Sequence, residues 1–182
     1  MANAISLQYF TRSLFLPNSD ANKPEGQQLL AFIAQYEPEF LDKFFGVTLA
    51  GLIQAEINTP TGVGVVSNLV NGVTFTNSAN VVKKWVGLKN TTTYISPIAN
   101  YVYYIVQQVR DTSSTGIGEM MQQTQNATRT NAGAKTTFAW NQMVDYLLVL
   151  DEYIIQNKSQ FAQLDTYVTP YDLLTKTTRF GL

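Results

Sequence analysis

The side chains with the most chemical potential in this sequence are carboxylates. Glu37, Glu39 and Asp42 crowd one short stretch, and Asp145, Asp151 and Glu152 another. Two carboxylates held across a cleft can share general acid and base work or seat a hard cation. Glu37-Pro38-Glu39, however, has the form of a helix start, where acidic groups are favoured by the dipole alone. Asp145 and Glu152 fall on one face of a long helical stretch, with Asp151 about 100° away from Glu152, the pattern of a solvated stripe. Gly62-Val63-Gly64 and Gly116-Ile117-Gly118 resemble the opening of a phosphate loop, but neither has a third glycine or a following Lys-Ser/Thr, so both read as turns. Lys83-Lys84 reads as a surface pair, and Tyr101, Tyr103 and Tyr104 as core or subunit interface rather than a stacking platform.

The chain of 182 residues has no His and no Cys. Thiolate nucleophiles, disulfides, His or Cys zinc sites and His-based triads are thereby excluded. Neither a catalytic residue, a cofactor site nor a metal site is assigned. Asn, Gln, Ser and Thr number 58 against 25 charged residues, and the net charge is -1. Such a surface is polar but uncharged. Proteins that neutralise phosphates need a basic excess on the binding face, which is missing here. No window approaches 18 consecutive apolar residues, and Met1 to Phe10 lacks the basic and apolar regions of a secretory signal. The expectation is a soluble protein made in a cytoplasm, with no membrane partner.

The elements that must position these residues are mainly helical. Residues 1–26 read as an N-terminal arm, rich in turn formers between Ser13 and Gly26. Leu29, Leu30, Ile33 and Tyr36 share a helical face, so a helix over Glu25–Tyr36 should stop before Pro38. A second short helix carries Phe40, Leu41, Phe44 and Phe45 to a glycine cap at Gly46, and a third carries Leu49, Leu52, Ile53 and Ile57. Thr59 to Asn80 is rich in Gly and β-branched residues and predicts a hairpin turning at Asn71-Gly72, projecting toward another chain. Val81 to Leu88 continues as a short helix or strand.

Ser96-Pro97 starts a helix that should end near Arg110. Asp111 to Gly118 reads as a linker and Glu119 to Asn131 as an extended segment. Ala134 to Asn157 is helical and apolar over more than half its circumference, which suits a central or oligomer-buried helix continuing, with a kink, through Phe161 and Leu164. Residues 165–182 form a C-terminal arm. The fold class is therefore mainly α: one domain over 1–182, a small helical bundle over 27–164 with a hairpin insertion and extended terminal arms. Ordering arms costs about 1 to 2 kcal/mol of backbone entropy per residue, so such protrusions call for partners.

Four segments carry a resemblance: Tyr36 to Leu49, Ile95 to Tyr104, Thr115 to Glu119, and Lys135 to Val144. In that order, over roughly residues 27 to 158, the chain resembles the head-tail connector, or portal adaptor, proteins of tailed bacteriophages, including ring proteins of crAss-like phages. The resemblance implies a structural protein with no reaction and no cofactor. It would form a homo-oligomeric ring, twelve-fold, under the portal in the virion neck, after assembly in the host bacterial cytoplasm. Its partners would be its own copies, the portal, and other neck or tail proteins. DNA would pass through the channel without specific binding, which the low basic content suits. By the same resemblance and chain position, Tyr171, Leu173, Leu174, Arg179 and Phe180 are candidates for the portal or neighbouring-subunit contact, and Asn71 and Gly72 for a hairpin tip. The alternatives are another virion structural role, such as capsid accessory or tail terminator, and a carboxylate-based hydrolase using Glu37, Glu39 or Asp42.

Overall fold

The computed structural model describes residues 2–111, 113–115, 118–120 and 132–178. It is mainly helical with a small antiparallel hairpin, a helical bundle of the expected class. Helix α1 spans Pro24–Asn58, α2 Gly64–Asn71, α3 Pro97–Asp111 and α4 Ala132–Asn157; strands β1 (Val73–Thr76) and β2 (Val82–Trp85) lie between α2 and α3. Strands β3 (Ser113–Thr115) and β4 (Gly118–Met120) pair antiparallel, Ser113 opposite Met120. They lie partly in the expected linker. The expected extended segment falls outside the described residues beyond Met120.

Helix α1 does not stop before Pro38 as expected. It runs through the proline because Ile33, Glu37, Phe40 and Leu41 form one continuous buried face across it. Proline in a helix interior costs about 3 kcal/mol or more, and burial of several large side chains outweighs that. The break comes instead at Gly46, whose backbone (φ 74°, ψ 156°) is not helical. Glycine alone adopts that conformation without strain, and the bend turns Leu49, Ala50, Ile53 and Ile57 back to the core.

The hairpin requires a correction. Asn71 and Gly72 are not its tip: Gly64–Asn71 is the helix α2, and the Asn-Gly step ends it. Val65, Leu69 and Val70 are buried on one helical face, so tertiary packing overrides their β preference. The Asn71 side-chain amide donates to Ser67 O (3.1 Å), and Gly72 N–H donates to Asn68 O (3.0 Å). In the hairpin Val73 lies opposite Trp85 and Thr76 opposite Val82, which places the turn at residues 77–81. There Asn77 Oδ1 accepts the N–H groups of Ala79 (3.1 Å) and Val81 (2.8 Å). Leu88 and Lys89 then donate their backbone N–H groups to Leu69 O (3.3 Å) and Val70 O (2.9 Å), tying the chain after β2 to α2.

The hairpin does not project either. It lies on α4, where the Asn77 side-chain amide donates to Glu152 (2.8 Å), Lys83 pairs with the same carboxylate, and Gln156 donates to Thr76 O (2.8 Å). The Phe75 and Tyr153 rings meet edge to face at 5.2 Å.

Helix α3 starts as its sequence dictates, the Ser96 hydroxyl oxygen accepting Ile98 N–H (3.2 Å) while its proton goes to Leu88 O (2.6 Å). It packs along α4, and buried Asn100 bridges the two by donating to Ala139 O and to Gln142 Oε1, both at 2.9 Å. Helix α4 ends at Asn157 rather than continuing through Phe161 and Leu164. A turn over residues 158–160, closed by Gln160 N–H donating to Asn157 O (3.0 Å), reverses the chain. A 3-10 turn at Ala162–Leu164 then buries Leu164 and, beyond it, Tyr167.

The N-terminal residues are not a free arm. Ala4, Ile5, Tyr9, Phe10, Leu14 and Leu16 belong to the same buried cluster as the helices. Their apolar side chains are spaced through the turn-rich sequence without helical or strand period, which hid their burial. The longest largely exposed stretch runs from Pro17 to Pro24.

Candidate interaction surfaces

The six candidate carboxylates do not converge; five of them hold different parts of the fold. Glu37 is buried and accepts the N–H groups of Ala4 (2.6 Å) and Ile5 (3.3 Å). Glu39, half-buried, accepts from Lys43 Nζ (2.6 Å) and the Tyr101 hydroxyl (2.9 Å), and the lysine contact holds its carboxyl below the usual range. Asp42 is exposed beside Pro38, Leu41 and Val47 in a shallow groove of about 250 Å³. Among the described residues no group of three acidic side chains is placed to hold a metal.

On α4 the acidic residues are not a free solvated stripe as the sequence suggested. Asp145 pairs with Lys176 (2.6 Å), and both side chains are about half exposed, so the pair contributes little. Asp151 accepts from the Tyr167 hydroxyl (2.6 Å) and from Thr169 Oγ1 (3.0 Å). Burial first, and then the neighbouring carboxylate, push the Tyr167 phenol far above its ordinary range. Glu152 holds the hairpin, its pKa lowered chiefly by the hydrogen bond from Lys83. Helix α4 is thus a spine to which later and earlier segments are pinned.

The Gly62-Val63-Gly64 turn borders a groove of about 620 Å³ whose walls include Leu52, Glu56, Thr61, Val63 and Gln163. Glu56 accepts from Thr61 N–H (3.0 Å), Thr61 Oγ1 (2.7 Å) and Gly62 N–H (3.2 Å). Two amides that a phosphate loop would turn toward its ligand face the protein's own carboxylate instead. Gly116 lies outside the described residues, and Gly118 opens β4. Tyr101 and Tyr103 are buried, and Tyr104 packs against Trp140 with ring centroids 4.8 Å apart, so the three form no exposed platform. Lys83 is engaged by Glu152, which separates it in role from Lys84.

The C-terminal segment lies along its own α4. The Asn141 side chain donates to Thr177 O and accepts Thr177 N–H, both at 2.9 Å, pairing with the backbone as a neighbouring strand would. Trp140 Nε1 donates to Thr175 O (2.8 Å). Leu173 and Leu174 are half-buried against the core, whereas Tyr171 is 77% exposed. Arg179 and Phe180 lie outside the described residues. Replacing Asn141 with alanine removes both bonds to Thr177. Hydrogen exchange at the Thr177 amide is expected to quicken severalfold, with global stability changed by about 1 kcal/mol or less.

One surface was not singled out by residue type. Leu148 and Ile155 are 45% and 55% exposed and one heptad apart on α4, outside its buried stripe. Asp151 sits between them on the same side of the helix and holds Thr169, which lies between exposed Val168 and Tyr171 in sequence. Leu148 and Ile155 thus form an exposed apolar pair on α4. Helical spacing alone would have marked Leu148 and Ile155; the position of Val168 depends on the chain reversal after Asn157.

The chain matches no protein-family model, no curated protein and no solved structure. No helix among the described residues is long and apolar enough to cross a membrane.

Proposed function

We propose that the chain is a virion structural protein that forms an oligomeric ring under the portal of a tailed bacteriophage. In this role it connects capsid to tail and extends the DNA channel without chemistry of its own. The reading is supported chiefly by the exposed apolar pair Leu148 and Ile155 on the helix to which the rest of the fold is pinned. Exposed apolar side chains on a rigid helix suit a subunit contact. The resemblance to head-tail connector proteins supplies the ring and the portal as partner. The composition agrees, since a channel lined by Asn, Gln and Thr contacts passing phosphates without the hold that Lys or Arg would give.

The test is the mass and shape of the purified full chain, alone and mixed with its portal, by mass photometry and negative-stain electron microscopy. Rings are expected, alone or on the portal, and Leu148→Glu with Ile155→Glu should abolish them while far-ultraviolet circular dichroism stays that of a folded helical monomer. A folded wild-type chain that stays monomeric and ignores the portal overturns the reading. Rings that survive the double substitution move the contact elsewhere on the subunit.

A further inference from the structure

Asn71-Gly72 ends α2, and it is also the one Asn-Gly step in the chain. Such a step is prone to deamidation, because a following residue without a Cβ leaves its main-chain nitrogen open to the asparagine side chain. The Gly72 nitrogen gives its proton to solvent hydroxide and bonds to Asn71 Cγ. The adduct, taking a proton back from water, expels the side-chain nitrogen as ammonia and leaves a succinimide ring. Water then opens the ring. Where the bond from nitrogen to Cγ breaks, the product is aspartate. Where the bond from nitrogen to the main-chain carbonyl carbon breaks, the chain runs on through the side chain as isoaspartate, longer by a methylene. Either way a water is consumed, an ammonia leaves and a negative charge is gained.

The native structure opposes ring closure at each of the groups involved. Asn71 is the last residue of α2, and closure needs its Cα–C bond to turn far out of the helical range. Its side-chain amide is drawn back along the helix, donating to Ser67 O (3.1 Å) and Ser67 Oγ (3.0 Å). The Gly72 N–H, whose proton must leave, donates to Asn68 O (3.0 Å). Asn71 is exposed, so geometry guards it and not lack of water. These restraints vanish together when α2 unravels.

The longer product also fits this place badly. Gly72 is wedged against the chain after β2, where a Cβ on it would lie 2.7 Å from Trp85 O and 2.9 Å from Val86 C, both backbone atoms. An extra methylene in the main chain here displaces Gly72 from that crossing. The bonds from Leu88 N–H to Leu69 O (3.3 Å) and from Lys89 N–H to Val70 O (2.9 Å) close the same junction. A carboxylate in place of the amide loses both bonds donated to Ser67 and sets its charge at the negative end of the helix.

We propose that Asn71 is a deamidation site gated by folding: native subunits keep the asparagine, and copies that dwell unfolded are converted there to isoaspartate, which hinders their return to the native junction. The experiment incubates the full wild-type chain in mildly alkaline buffer, native and in guanidinium, and follows Asn71 by peptide mapping and mass spectrometry. A peptide of residues 67–76, which has no fold to lose, corrects for guanidinium itself. Deamidation at Asn71 is expected to run more than about tenfold slower in the native chain than in the unfolded one, because it waits for α2 to open. After guanidinium is removed from a part-modified sample, isoaspartate at position 71 should be depleted severalfold in the compact fraction from size exclusion. Where the chain does not refold from guanidinium, brief proteolysis of a long-aged native sample makes the same comparison, the surviving chains being the ones depleted. Equal native and unfolded rates overturn the gate. Isoaspartate present in full proportion among compact or surviving chains overturns the hindrance.

Discussion

Replacing Gly87 with alanine is expected to destabilise the fold by about 4 kcal/mol, seen as a lower midpoint in urea or guanidinium unfolding. Gly87 has φ 91°, where an L side chain is strained, and a Cβ there would come within 2.8 Å of Asn71 C, Gly72 N and Val70 O. These are backbone atoms of the α2–β1 junction, which cannot swing aside as a side chain could. Gly72 faces the same crossing from the other side, where an added Cβ would lie 2.7 Å from Trp85 O. The two stretches of chain touch because Leu88 and Lys89 bond to Leu69 and Val70, and Trp85 Nε1 donates to Leu69 O (2.9 Å). Forcing them apart would break all three bonds. Gly51→Ala is the control: it lies in α1 with nothing near its Cβ position, and alanine there is expected to add about 0.5 to 1 kcal/mol. Equal effects at the two positions would refute the steric account.

Phe44→Ala should cost at least as much, about 3 to 5 kcal/mol, because it opens a cavity where α1 and the C-terminal segment meet. Phe44 is 1% exposed, with ring centroids of Phe45, Tyr167 and Phe40 at 4.8, 5.8 and 6.1 Å. Tyr167 is pinned from its other end by Asp151, so it cannot follow the retreating surface without breaking a 2.6 Å hydrogen bond. Partial collapse is thereby limited, and the upper half of the range is expected. Phe44→Leu keeps most of the volume and should cost about 1 to 2 kcal/mol. Against a total stability of about 5 to 15 kcal/mol, the alanine variant should also quicken hydrogen exchange at the Tyr167 amide, which bonds to Leu164 O (3.0 Å). Unchanged exchange there would show that the C-terminal segment does not depend on Phe44.

The parts of this fold legible in the sequence are those fixed by local chemistry. Ser96-Pro97 gave the start of α3 within a residue, and the apolar run from Phe138 to Ile155 gave α4, because a cap and a helical period are both written in consecutive residues. Asn71-Gly72 misled because the same dipeptide suits a hairpin turn and a helix stop, and only the burial of Val65 and Leu69 against α1 decides between them. Pro38 misled for a related reason: its local penalty is real, and what offsets it is spread over Ile33, Glu37, Phe40 and Leu41. The carboxylates were visible as a set but their duties were not. Asp151 and Glu152 are adjacent in sequence yet hold different segments, the later Tyr167 and Thr169 on one hand and the earlier Asn77 and Lys83 on the other.

The burial of the first residues has a consequence during synthesis. Tyr9 accepts Asn90 N–H (2.9 Å) and Arg12 donates to Thr93 O (3.1 Å), each pair 81 positions apart. At about 5 to 20 residues per second the ribosome needs roughly 4 to 16 seconds to make that intervening chain. During that interval α1 can already cover part of this segment, but its contacts with residues 90–93 and with α3 cannot yet form. The enclosure of this segment is thus finished only when α3 has been made, long after the segment itself.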